Sequence, residues 1–207
     1  MHLSGYEPML AGSGRIDDPT RYGYQAKLDG WRAVLHVGED GLRVLSRPGR
    51  DLTTSLPELA PIMDAVPAGT VLDGELVAGS GSAWSFYRLG PLMASRPERR
   101  QVPLTFAAFD VLACGGRRVV DRPFTDRTAL LTGMAFRGPT WCTVATWGAV
   151  SIADMLAACE GRGAEGLVGK RLDSRYFPGE RRPEWVKIKT AHWRAVHAER
   201  RHNRAAR

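Results

Sequence analysis

Lysine is nearly missing from this basic chain. Of its 29 lysine and arginine residues only four are lysines, Lys27, Lys170, Lys187 and Lys189, so arginine supplies the other 25 (29 − 4). Cysteine is sparse too. Cys114, Cys142 and Cys159 are an odd number at wide spacing, which excludes a disulfide framework and a four-thiolate zinc site and leaves them as small buried filler. The histidines add no ligand pattern; His192, His197 and His202 read as part of an exposed basic tail. No apolar run approaches the ~20 residues that span a bilayer. The first residues also lack the basic-then-apolar order of a secretion signal. A cytoplasmic location without membrane contact is expected.

What is present describes a globular protein. With 207 residues, 43% hydrophobic and 25% charged, the chain can bury a sizeable core in one domain or a little more. A formal net charge of +7 favours a polyanionic partner, most simply nucleic acid. Strand-like runs fall at Tyr22–Leu28, Trp31–Val37, Leu42–Ser46, Thr70–Ala78, Leu104–Leu112, Ala164–Arg171 and Trp185–Lys189. Helical patterns fall at Pro57–Val66, Trp84–Met93, Pro123–Met134 and Ser151–Glu160, the last opening on a Ser151/Asp154 pair close to a capping box. Gly79–Ser82 reads as a loop and Ser95–Arg100 as a charged connection. The irregular order of strands and helices, without repeats, predicts an α+β fold with largely antiparallel sheets and flanking helices.

On an exposed surface lysine and arginine are nearly exchangeable, but only lysine can lose its proton and act as an amine nucleophile. The four lysines should therefore stand where arginine will not serve. All lie in chemically suggestive strings: Lys27-Leu28-Asp29-Gly30-Trp31-Arg32, Glu165-Gly166-Leu167-Val168-Gly169-Lys170 and Trp185-Val186-Lys187-Ile188-Lys189. In the first, Lys27 and Asp29 share a strand face, Gly30 allows a close backbone approach, and Arg32 adds a guanidinium. An amine nucleophile among cations suits attack on a phosphate. A free lysine is only about one part in a few thousand neutral at pH 7, so nearby positive charge must lower its pKa. Lys187, Lys189 and a metal ion are the expected sources. Taken singly, each residue has a plainer reading: a surface turn for Lys27–Arg32, a core side chain for Phe109, solvated carboxylates for Glu75 and Glu165.

The strings together resemble the covalent nucleotidyltransferases, the superfamily of ATP-dependent DNA ligases, RNA ligases and mRNA capping enzymes. Lys27-x-Asp29-Gly30-x-Arg32 is similar to motif I, and Ser46-Arg47-Pro48-Gly49-Arg50-Asp51-Leu52-Thr53 to the ligase motif that follows. Leu72-Asp73-Gly74-Glu75-Leu76 resembles motif III, Phe106–Leu112 motif IIIa, Glu165–Lys170 motif IV and Trp185–Lys189 motif V. All stand in the family's order. Tyr176-Phe177-Pro178-Gly179-Glu180-Arg181 is similar to bacterial repair ligases of the ligase C and ligase D type.

The resemblance implies an adenylation domain over residues 1–190 that uses ATP with Mg²⁺ or Mn²⁺. Lys27 would become a lysyl-AMP and pass AMP to nicked double-stranded DNA. It further implies that Lys187 and Lys189 point at the α-phosphate, and that Arg32 and Glu75 contact the ribose. Phe109 would stack on adenine and Gln25 would read its edge. Asp29, beside Gly30, and Glu165 would lie near the phosphates and place the metal, while Ser46 and Arg47 would take the DNA 5′-phosphate. Asp73 and Asp110 read as structural. Family members usually continue into an OB-fold domain, yet this chain runs only 18 residues (207 − 189) past Lys189. The segment 191–207 is read as a basic tail, with no OB-fold domain and with that fold or another repair protein supplied separately to a monomer. An RNA ligase, a GTP-using capping enzyme and a non-catalytic nick-binding module stay open as alternatives.

Overall fold

In the computed structural model, residues 5–79, 85–94, 102, 104–148, 151–161 and 164–195 are described. Two sheets face each other. The first has the order β1-β11-β10-β2-β9, built from β1 (Leu10–Gly12), β2 (Tyr22–Ala26), β9 (Thr146–Trp147), β10 (Gly166–Arg171) and β11 (Arg181–Lys189). The second has the order β4-β3-β5-β6-β7, with β3 (Trp31–Val37), β4 (Leu42–Ser46), β5 (Thr70–Ala78), β6 (Leu104–Cys114) and β7 (Arg117–Arg118). β8 (Trp141–Thr143) pairs with β6 off that path. Pairing is antiparallel except for β1 with β11 and β6 with β8, so the expected α+β class with largely antiparallel sheets is what the chain adopts.

Alternation along each strand sorts the side chains into three apolar layers. Val34, Val71 and Leu112 meet Met9, Tyr176 and Trp185 between the sheets. The outer face of the second sheet packs Leu35, Leu72 and Phe106 against Leu89 of α1 (Ser85–Ala94) and Leu131 of α2 (Phe124–Gly133). The outer face of the first packs Tyr24, Leu167 and Val186 on Met155 and Cys159 of α3 (Ile152–Gly161). Fully burying one such side chain stabilises by about 1.5–3 kcal/mol, so these layers hold the sheets in register.

Several boundaries differ from the sequence reading for physical reasons. Pro57–Asp64 forms a 3-10 helix, because Pro61 within it has no N–H to give to an α-helical ladder. Pro123 caps α2 from outside, while Ser151 Oγ accepts from the Asp154 N–H as the pattern predicted. β10 starts at Gly166 rather than Ala164, since Gly166 takes a positive φ of 145°. β11 starts four residues before Trp185, at Arg181, because β1 pairs alongside it; β1, β7, β8 and β9 are too short to be read from pattern. Only Cys159 is fully buried, and Cys114 and Cys142 are half-buried free thiols. Trp141 is core and Trp147 packs partly buried on α3's layer. Residues 80–84 and 95–100, with Trp84, and 196–207, with His197 and His202, lie outside the described residues. Residues 191–195 continue as helix. Among the described residues no helix is long and apolar enough to cross a membrane.

Candidate active site

The cleft between the sheets has a volume of about 200 Å³, and Gln25, Lys27, Arg32, Arg47, Glu75, Phe109 and Lys187 stand in its wall. Strand register assembles its first side. Gln25 of β2 faces Val168 of β10, which faces Lys187 of β11. Two residues along, Lys27 N–H donates to Gly166 O at 2.8 Å, and Gly166 is opposite Lys189. A period of two therefore aims Gln25, Lys27, Lys187 and Lys189 at one face. Gly166 is required here: a Cβ would stand 2.1 Å from the carbonyl oxygen of Ile188. Gly30 is required too, since a Cβ there would lie 2.2 Å from Leu76 O, and its N–H donates to the Glu75 carboxylate.

At the mouth, Glu165 forms ion pairs with Lys27 and, at 3.1 Å, with Lys189. Burial opposes its ionisation, but these two ammonium groups outweigh burial and hold its carboxyl below the usual range. Asp29 hydrogen-bonds Glu165; burial and then the Glu165 charge push its pKa up to about 6. Two adjacent carboxyl groups beside lysine ammonium groups are hard oxygen donors of the kind that Mg²⁺ or Mn²⁺ takes, with water completing the shell. The donor set fits such an ion, although among the described residues no cluster of three or more metal-ligating side chains exists. Lys187 makes no ion pair among the described residues. Burial, then the charges of Lys27, Arg181 and Lys189, lower its pKa. Lys189 is held at the mouth. It shares a strand face with Lys187, yet its ammonium is engaged by Glu165 and lies 3.0 Å from the Trp193 ring centroid, away from the cleft wall.

The second sheet supplies the other side. Asp73 pairs with Asp110 and Gly74 with Ala108, so Phe109 is the extra residue of a β-bulge. Bulges re-aim side chains and free backbone groups from the ladder. The Phe109 ring projects into the cleft, and its carbonyl accepts from Gln25 Nε2 at 3.1 Å and Lys170 Nζ at 2.9 Å. Gln25 Nε2 also donates to Thr146 Oγ1 at 2.9 Å. Both amide protons are thus used, and the buried Oε1 has no partner among the described residues. Burial raises the Glu75 pKa to about 7 despite the charges of Arg32 and Lys27.

Arg32 reaches the cleft mainly through Asp73. Its Nε and Nη2 bind the Asp73 carboxylate at 2.6 and 2.5 Å, Nη2 also donates to Met9 O, and the guanidinium lies 4.3 Å from the Phe109 centroid. Tyr176 hydroxyl donates to Asp73 at 2.6 Å and accepts from Met9 N–H. Asp110 is gripped by both forks of Arg127 at 2.8 and 3.0 Å. Asp73 and Asp110 are therefore structural anchors, as read. Arg47 sits exposed at the rim, and Ser46 lies behind it with Oγ accepting from Arg50 N–H. Sequence reasoning missed Lys170 as a buried group, Thr146, and the contribution of Leu10 and Ala11 from β1 to the cleft wall. Lys170 had a signal, since it shares a face with Val168; the short β1 and β9 offered none.

Comparison with known proteins places this arrangement. The chain is 34% identical over 194 residues to a probable DNA ligase of Koribacter versatilis, covering 79% of this chain and 34% of that protein. It is 34% identical over 190 residues to the multifunctional non-homologous end joining DNA repair protein LigD of Mycobacterium tuberculosis, covering 90% of this chain and 24% of that one. The chain thus spans about a third or less of these relatives. Among solved structures, mycobacterial DNA ligase D complexed with ATP and MES superposes with a TM-score of 0.72 at 28% identity, over 91% of this chain and 62% of that one. The family model of the ATP-dependent DNA ligase domain matches residues 8–189, from just before β1 to the last residue of β11, and the chain belongs to that family.

Proposed function

We propose that the chain is the adenylation domain of an ATP-dependent DNA ligase that seals nicked DNA in repair, in the cytoplasm, with residues 1–190 as that domain and 191–207 as a basic tail. The observation that carries this reading is the position of Lys27. Its amine stands at the cleft edge with Glu165 as its ion-pair partner, between a base-sized apolar wall and a cluster of cations. Lys27 Nζ attacks the α-phosphorus of ATP; the N–P bond forms, the bond to pyrophosphate breaks, and Glu165 is the nearest base for the amine's proton. Lys187 stabilises the charge that gathers on the phosphoryl oxygens. Asp29 and Glu165 would hold a Mg²⁺ or Mn²⁺, which neutralises phosphate charge when bound. AMP then passes to a DNA 5′-phosphate, for which Arg47 offers an exposed guanidinium and Ser46 a hydroxyl proton.

Adenine is the base this cleft suits. Gln25 Oε1 is a buried acceptor without a partner among the described residues, and the amide cannot turn over without opposing its oxygen to the Phe109 carbonyl. An acceptor fits the 6-amino group of adenine and repels the 6-oxo group of guanine, which speaks against a GTP-using enzyme. Phe109 offers a stacking face, and the Nη1 of Arg32 together with Glu75 offers contacts for the ribose hydroxyls. The relative solved with ATP is consistent with this assignment.

The test is incubation with α-labelled ATP and Mg²⁺ or Mn²⁺, followed by a denaturing gel. Wild type should carry label, whereas Lys27→Ala and Lys27→Arg should carry none, because guanidinium keeps the charge but cannot serve as the amine nucleophile. Label on either variant would remove Lys27 as the nucleophile. A pre-adenylated nick tested in parallel separates loss of sealing from loss of self-adenylation.

A further inference from the structure

Lys27 and Lys189 pair with Glu165 and Lys187 lines the cleft, whereas Lys170 lies at the back of the cleft among aromatic rings. It is only 2% exposed, enclosed by the rings of Trp185, Phe109 and Phe124 at 4.0, 4.5 and 4.9 Å from their centroids. Among the described residues its hydrogen-bond acceptor is the bulge carbonyl of Phe109, and Asp110 lies 3.7 Å away. That same carbonyl holds the Gln25 amide. We infer that Lys170 is a positioning residue for the base subsite: it clamps the Phe109 bulge, and through it both the stacking ring and the base-reading amide.

Charge bookkeeping explains why the position is not arginine in so arginine-rich a chain. The buried network behind the cleft already pairs Arg32 with Asp73 and Arg127 with Asp110. Lys170 is the odd cation. Burial, against the pull of Asp110 and Asp73, pushes its pKa down to about 7, so the amine can remain neutral and still donate to Phe109 O. A guanidinium could not shed its charge, and its five donors would find too few acceptors among three aromatic rings.

The inference rests on the adenylation reading only for the identity of the base. The experiment is calorimetric binding of α,β-methylene-ATP and of inorganic tripolyphosphate to the wild-type chain and to Lys170→Met, Lys170→Gln and Lys170→Arg, with a thermal melt of each. Lys170→Met should weaken the ATP analogue ~10-fold, the scale of one lost positioning hydrogen bond, while leaving tripolyphosphate affinity unchanged. Lys170→Gln, which keeps an N–H donor without charge, should recover much of that loss. Lys170→Arg should bind the analogue poorly and melt earlier than Lys170→Met. Equal weakening of tripolyphosphate would make Lys170 a phosphate ligand, and unchanged analogue affinity in Lys170→Met would leave it as core packing; either overturns the inference. Wild type that binds the analogue but never labels at Lys27 would sink adenylyl transfer and leave this proposal standing. Wild type that binds no analogue would end both.

Discussion

The mouth of the cleft and the wall behind it use the same residue types for opposite purposes. At the mouth the Lys27 and Lys189 side chains are 18% and 24% exposed and share one carboxylate, Glu165. In the wall, Asp73, Asp110 and Arg127 have no exposed side-chain surface, and each carboxylate is held by a two-point guanidinium fork. A shared, partly wet ion pair can be exchanged for a ligand at small cost. A dry bidentate pair cannot, because breaking it leaves a buried charge without compensation. The first region holds exchangeable charge and the second fixed geometry, and Lys170 and Phe109 join them.

Substitutions can break that division. The largest effect after loss of Lys27 should come from Arg127→Met, which strands Asp110 in the wall: roughly 3–5 kcal/mol of stability should disappear in a denaturant titration. Little change would mean that the wall relaxes as freely as the mouth. Next, Lys187→Ala should slow AMP transfer ~10²–10³-fold at saturating ATP with the melting temperature nearly unchanged, the size expected for a lost transition-state cation. A loss of stability instead would move Lys187 into the structural region. Arg47→Ala, at the rim, should weaken nick binding and lower the slope of log affinity against log salt by about one, with self-labelling intact.

The smallest effect is on pH. The folded pKa of Lys170 is depressed to about 7, with Asp110, Asp73, Arg32 and Arg127 as its charged neighbours. Between that value and the unfolded one of about 10.4, the unfolded chain binds more protons, so stability rises with pH there. The melting temperature of wild type relative to Lys170→Met should therefore fall as pH is lowered from ~10 towards 7 and level off below 7. A flat difference would show that the wall does not disfavour the charge on Lys170.

The catalytic candidates were legible from the residues because their chemistry demands particular side chains at short spacing. Lys27 directly follows β2, which ends at Ala26 rather than the expected Leu28, while Gly166 opens β10 and Lys187-x-Lys189 closes β11. There a period of two settles the face without knowledge of the partner, whereas Asp29 and Gly30 lie in the connection to β3. Gly30 and Gly166 were part of the same strings, and the reason they must be glycine is a contact with a neighbouring strand. The long strands and α2 and α3 were also readable, since each carries its own apolar pattern. What escaped was set across distance. The partner of Lys189 is Glu165, with the Trp193 ring beside it, and the partner of Arg32 is Asp73, 41 residues away.

By itself, then, the sequence determined which residues carry nucleophilic, acidic and cationic side chains and which strands most of them lie on or beside, since side-chain chemistry and strand alternation are local properties. Only the tertiary structure decided that Phe109 is a bulge, that its carbonyl joins Gln25 to Lys170, and that Leu10 and Ala11 of β1 complete the cleft wall. The physical reason is that a bulge, a short edge strand and a buried charge have no stable identity in the isolated segment. Each exists only because another strand supplies the ladder, the acceptor or the counter-charge.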